Sequence, residues 1–101
     1  NLTIVAAHPG WPWTDELIAM AIHKRNVFVD ISGWRPRYLP AQLKHEINSR
    51  LQDKVLFGSD YPSLTPGKVL DELEQEHFKP GVLDKICIRN AVRVFKLEGL
   101  V

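Results

Sequence analysis

With 101 residues, 45% of them hydrophobic and 25% charged, the chain has the composition of one small globular domain. A formal net charge of +1 gives no electrostatic footprint for nucleic acid or an anionic membrane surface. No apolar run approaches the length of a membrane span, and the single cysteine, Cys87, excludes an internal disulfide and suits a reducing, cytoplasmic setting.

In chain order, Leu2-Thr3-Ile4-Val5-Ala6-Ala7 is a β-branched, apolar run that reads as a strand and stops at His8-Pro9-Gly10. Trp11-Pro12-Trp13 is a loop, and Thr14 or Asp15 can cap a helix running to about Lys24. Leu17, Met20 and Ala21 share one side of that helix, and Ile18 and Ile22 widen its apolar stripe. After Asn26 comes a second strand, Val27 to Gly33, with Val27, Val29 and Ile31 facing one way and Phe28, Asp30 and Ser32 the other. An aspartate inside such a run is costly unless it is hydrogen-bonded or faces a polar cavity.

Trp34-Arg35-Pro36-Arg37-Tyr38 is a loop rich in aromatics and arginine. Pro40 suits the first turn of a helix whose Leu39, Leu43, Ile47 and Leu51 recur every four residues. Val55-Leu56-Phe57 is a third, fully apolar strand that ends at Gly58-Ser59-Asp60, and Pro62 forces a turn. Thr65-Pro66 opens a helix as N-cap and N1, with Val69, Leu70 and Leu73 inside and Asp71, Glu72, Glu74 and Glu76 as a solvated outer face. From Val82 onward Leu83, Ile86, Cys87, Ala91, Val94 and Phe95 predict a last helix ending near Gly99.

The fold class is therefore α/β, with three consecutive βα units and a C-terminal helix. Strands joined through single helices imply right-handed crossovers and a parallel sheet, which leaves two open edges in a three-strand arc. All strands then point their carboxyl ends one way, gathering His8, the Asp30/Ser32 pair and Asp60 at one rim. Parallel α/β folds place ligands and chemistry there, although an aspartate at a strand end also commonly just caps a turn.

A histidine and an aspartate at neighbouring strand ends can ligate a divalent metal, or one can hold the ion while the other moves a proton. A Ser59-His8-Asp60 triad lacks the nucleophile elbow that would expose the serine. Arg35 can clamp a substrate carboxylate through two parallel hydrogen bonds, with Arg37 the more ordinary surface charge. Trp11, Trp13 and Trp34 follow strand ends and either wall a substrate pocket or cover the sheet. His23, His45 and His77 share no spacing and read as surface histidines, and Cys87, between Ile86 and Ile88, reads as a buried small hydrophobe.

Ala7-His8-Pro9-Gly10, Asn26-Val27-Phe28-Val29-Asp30-Ile31-Ser32-Gly33 and Val55-Leu56-Phe57-Gly58-Ser59-Asp60-Tyr61-Pro62 resemble the last third of the amidohydrolase-2 family. Lys85-Ile86 with Arg89-Asn90-Ala91-Val92-Arg93-Val94-Phe95 is similar to that family's closing helix. These are metal-dependent TIM-barrel hydrolases and decarboxylases of the aminocarboxymuconate-semialdehyde decarboxylase type. The resemblance implies strands 6–8 of a (β/α)₈ barrel, with the family's other metal ligands on strands upstream of this segment. It implies Asp60 as ligand of a divalent metal, zinc or manganese, or of its activated water. It implies His8 as the group that orients substrate, transfers a proton or also contacts the metal. The expectation is the C-terminal part of a hydrolase or decarboxylase acting on a carboxylated or acyl small molecule. Arg35, Trp11 and Trp34 are its candidate substrate contacts. The second expectation is a non-catalytic α/β module that associates, as a homo-oligomer or with a partner chain, through its open sheet.

Overall fold

The computed structural model describes residues 2–99. Its elements alternate as expected: β1 (Ile4–Ala7), α1 (Thr14–His23), β2 (Val27–Asp30), α2 (Ala41–Ile47), β3 (Val55–Leu56) and α3 (Pro66–Gln75). A 3₁₀ turn (Pro36–Tyr38) precedes α2, and the chain closes with α4 (Val82–Asp84), a π-helical stretch (Lys85–Arg89) and α5 (Asn90–Val94). The three strands form one parallel sheet in the order β1-β2-β3. The register pairs Ala7 with Asp30 and Asp30 with Leu56, so the three carboxyl ends lie side by side. Among the described residues, no helix is long and apolar enough to cross a membrane.

Strand alternation divides the side chains as their polarity demands. Val27, Val29, Ile31 and Val55 point into the layer of helices, where they meet Ile18, Ala21, Leu43, Ile47, Leu51, Val69, Leu73, Val82 and Ile86. Leu43, Ile47 and Leu51 are wholly buried, and each such side chain contributes about 1.5–3 kcal/mol. Phe28, Asp30 and Leu56 occupy the opposite face, where the Lys54 ammonium sits 4.8 Å from the centre of the Phe28 ring.

Several local expectations are corrected. In α1 the buried pair is Ile18 and Ala21, whereas Met20 is exposed. Trp13, not Thr14 or Asp15, is the N-cap residue, and no side chain caps the helix. In α3 Leu70 lies outside, and Glu72 and Glu76 are partly buried rather than solvated because Arg35 and Lys44 reach over to them. α2 stops at Ile47, yet Leu51 still enters the core from the following turn.

The last helix departs most, and its reason is visible. The Ile86 carbonyl accepts the Phe57 N–H at 2.8 Å from the far edge of β3, while the Asn90 N–H reaches back five residues to Lys85. The helix widens into a π turn where its ladder is diverted to the sheet. Asn90, fully buried, adds an Nδ2 hydrogen bond to the Val55 carbonyl on the same edge. The edge of β3 is therefore covered by the C-terminal segment, and the expectation of two open sheet edges holds only for β1. The helix ends at Val94, before Gly99, with Lys96 in the left-handed region at φ 56° and the Leu97 N–H bonded to the Val92 carbonyl.

Candidate functional site

The carboxyl ends of β1 and β2 meet through three side chains. His8, the first residue after β1, places its Nδ1 2.6 Å from the Ser32 carbonyl oxygen and 2.9 Å from Ser32 Oγ. Asp30, the last residue of β2, accepts the Ser32 backbone N–H on Oδ1 at 2.9 Å and the Ser32 hydroxyl on Oδ2 at 3.0 Å. This answers the cost of an aspartate in an apolar strand, because both of its oxygens are satisfied locally. Ser32 is buried while the His8 ring is exposed, so the network anchors one side of the imidazole and leaves the other to solvent.

Two glycines make room for this contact. Gly33, at φ 82°, takes a conformation that side chains rarely adopt, and a Cβ there would lie 2.8 Å from His8 Nδ1. At Gly58, just beyond β3, a Cβ would lie 2.8 Å from both Asp30 Oδ1 and Ser32 Cβ. The third strand end thus packs directly against the polar pair of the second.

Asp60 follows Gly58 and Ser59 at the same rim and is exposed. Its φ of 69° is unusual for a residue with a side chain. Such a conformation costs of order 1–3 kcal/mol and is typical of functional loops. The turn Asp60–Leu64 holds it, with the Asp60 carbonyl accepting the Ser63 N–H at 3.0 Å. Ser59 is buried and His8 is committed to Ser32, so a Ser59-His8-Asp60 triad is not formed.

The expected substrate contacts stand in different surroundings. Arg35 donates from Nε to Glu72 Oε2 at 2.8 Å, with its Nη2 2.6 Å from the same oxygen, so a substrate carboxylate competes with Glu72 for that guanidinium. Arg35 in turn holds the Glu72 carboxyl below the usual carboxylate range, against the opposing effect of burial. Trp34 packs on the apolar core, whereas Trp11 and Trp13 are exposed. Cys87 is half-buried against the core, and desolvation pushes its thiol pKa up, which disfavours the nucleophilic thiolate. His23, His45 and His77 are exposed. A cavity of about 760 Å³ opens at the opposite, amino-terminal end of the strands, lined by Leu2, Arg25, Phe28 and Arg93, away from the His8 rim.

The donor chemistry at the rim fits part of a metal site. A carbonyl oxygen only accepts, so Nδ1 of His8 carries a proton in its bond to Ser32, which in the neutral ring leaves the lone pair on Nε2. Asp60 offers carboxylate oxygens from the next-but-one strand end. Among the described residues, no group of three or more His, Cys, Asp or Glu side chains converges as a complete metal site would require. Ser32, Asp30 and the two glycines carry more of the geometry than sequence reasoning assigned to them. The signal was the polar Asp30 within an apolar strand.

The family model described as Amidohydrolase matches residues 1–97 of this chain. The crystal structure of an uncharacterized TIM-barrel protein from Bordetella bronchiseptica is similar at a TM-score of 0.84 and 31% sequence identity. That similarity covers 94% of this chain and 34% of the Bordetella chain, so the present chain spans about a third of that barrel's length. A comparison with curated proteins found no match.

Proposed function

This chain belongs to the amidohydrolase family, and on that premise we propose that it supplies the His8–Asp60 rim of a metal-dependent barrel enzyme. The reaction class is hydrolysis or non-oxidative decarboxylation of a carboxylated or acyl small molecule. The observation that carries this reading is the hydrogen bond from His8 Nδ1 to the Ser32 carbonyl, which leaves Nε2 free at the rim that Asp60 shares.

Asp60 and His8 would hold a divalent ion, zinc or manganese by ligand type, together with groups from the remainder of a barrel. When bound, such an ion polarises a carbonyl or brings a water near neutrality in its pKa. His8 Nε2, when not itself a ligand, accepts or returns a proton at the reacting centre, and its exposure lets substrate reach it. Asp60 has its backbone in the left-handed region at φ 69°, and its carbonyl closes the turn to Ser63. The test is Asp60→Asn and His8→Gln in the complete enzyme, with turnover and bound metal measured together. Loss of metal-dependent turnover in Asp60→Asn supports the assignment. Full activity with full metal content in that variant would overturn it.

A second reading has one observation in its favour. β1 is an edge strand with Leu2 and Ile4 exposed, so the chain can associate through that edge with a second copy or a partner. Sedimentation velocity across a concentration series tests the pairing of two copies, since a monomer at every concentration argues against self-association.

A further inference from the structure

We propose that Ser32 and Asp30 are positioning residues that lock His8 in its Nδ1–H tautomer and so present the Nε2 lone pair to the reacting centre. The inference deepens the reading of His8 above and rests on it for the chemistry that Nε2 performs. The tautomer itself stands on the hydrogen-bond geometry alone.

The Ser32 hydroxyl has a single hydrogen, and two groups lie within reach of its oxygen: Asp30 Oδ2 at 3.0 Å and His8 Nδ1 at 2.9 Å. A carboxylate only accepts, so that hydrogen goes to Asp30 and the hydroxyl turns its lone pairs to His8. The Ser32 carbonyl, 2.6 Å from Nδ1, also only accepts. Both Ser32 atoms facing the ring are therefore acceptors, and Nδ1 must be the donor. The orientation of Ser32 is itself fixed, because its backbone N–H is tied to Asp30 Oδ1 at 2.9 Å. Gly33 and Gly58 let the backbone approach the three groups closely, since a Cβ at either position would lie 2.8 Å from His8 Nδ1 or from Asp30 Oδ1.

The Ser32 carbonyl by itself calls for a proton on Nδ1. The Asp30 carboxylate adds to that preference by drawing the hydroxyl hydrogen to itself, so that Ser32 Oγ also meets the ring as an acceptor. An amide at position 30 can donate to Ser32 Oγ, which frees the hydroxyl hydrogen to point at Nδ1 and favours the other tautomer. Outer partners of this kind alter metal affinity or activity by about ten- to a hundredfold when they are changed.

The experiment is long-range ¹H–¹⁵N correlation spectroscopy of the metal-free full chain, labelled with ¹⁵N-histidine, at a pH where the ring of His8 is neutral. The wild-type spectrum is expected to show His8 protonated at Nδ1. Asp30→Asn is expected to raise the Nε2–H population, while Ser32→Thr, which keeps the hydroxyl, retains the wild-type tautomer. In the complete enzyme Asp30→Asn is expected to lower kcat with little change in KM. Neutral His8 protonated at Nε2 in the wild-type chain overturns the inference without recourse to any variant. A folded Asp30→Asn chain with an unchanged tautomer ratio overturns the role of the carboxylate. An Nδ1–H tautomer in this chain, with a complete enzyme that takes up no zinc or manganese, supports the positioning role and removes the metal reading instead.

Discussion

Gly58 stands so close to Asp30 that a Cβ at position 58 would lie 2.8 Å from the Asp30 Oδ1. The contact joins the end of the third strand to the polar group that orients His8, and Ser32 Cβ would be met at the same 2.8 Å. Neither neighbour is the loose end of a long side chain, since Asp30 is held by two hydrogen bonds from Ser32. Gly58→Ala is therefore expected to destabilise the chain by about 1–3 kcal/mol through overpacking. Gly67→Ala is the control, because nothing lies within 4 Å of a Cβ there. In the first turn of α3 alanine should be neutral or stabilising by up to about 1 kcal/mol. Urea unfolding midpoints of the two variants should move in different directions, and equal midpoints would show that the rim yields freely.

Asn90 makes the second prediction. Its Nδ2 donates to the carbonyls of Gln52 and Val55, both at 2.8 Å, and the residue is wholly buried. Replacing it with alanine leaves the buried Val55 carbonyl and the part-buried Gln52 carbonyl without this donor. The expected cost is about 1–3 kcal/mol. Hydrogen exchange at Phe57, whose N–H is bonded to the Ile86 carbonyl on the same strand edge, should quicken in parallel. Unchanged protection at Phe57 would mean that Asn90 does not hold the helix to that edge.

The parts of this fold that the sequence announced are those set by short-range chemistry. Val27, Val29 and Ile31 alternate with Phe28, Asp30 and Ser32, and that period of two placed the first set in the core. His8 and Asp60 were legible because each is a polar residue ending an apolar run. The link from His8 to Ser32 was not legible, since it spans 24 residues and depends on the register of β1 against β2. The π turn was equally hidden: it exists because the Ile86 carbonyl serves Phe57 rather than its own helix. Arg35 shows what residue type leaves open, since an arginine beyond a strand end has the right chemistry for a carboxylate ligand. In the fold its nearest carboxylate is Glu72.

Lys96 supplies a third prediction. It adopts φ 56° at the end of the last helix, where the Leu97 N–H returns to Val92 at 2.8 Å and closes the turn. Glycine is the usual occupant of this position, because a Cβ is crowded in the left-handed region by roughly 1–2 kcal/mol. Lys96→Gly is thus expected to raise stability by about 1 kcal/mol, less what glycine loses in unfolded-state entropy. Lys96→Val should lower stability, since β-branching worsens the crowding. A thermal melt that ranks valine level with glycine would refute the assigned conformation.

Acid stability gives the last prediction. Glu46 is 1% exposed on α2, and Arg50 binds it twice, from Nε at 2.9 Å and Nη2 at 2.6 Å, while Gln42 adds a weaker contact at 3.2 Å. The Arg50 guanidinium holds the Glu46 carboxyl below the usual carboxylate range, although burial acts to raise it. In the unfolded chain the same carboxyl takes up its proton near about pH 4.3. Between that pH and the lower folded value the unfolded state binds more protons, so stability there rises with pH. The contribution is fully present above the ordinary glutamate range and is lost as pH falls through the folded value. Glu72, depressed in the same direction by Arg35, adds a slope of the same sign. Urea midpoints of the wild-type chain should therefore fall as pH drops below the ordinary carboxylate range, and those of Glu46→Gln should fall less. Arg50→Ala should behave differently again. It strands a buried carboxylate without its cation, so its loss of stability should be largest near neutral pH and shrink as acid protonates Glu46. Parallel pH curves for all three proteins would remove the Arg50 contact from the account of this helix.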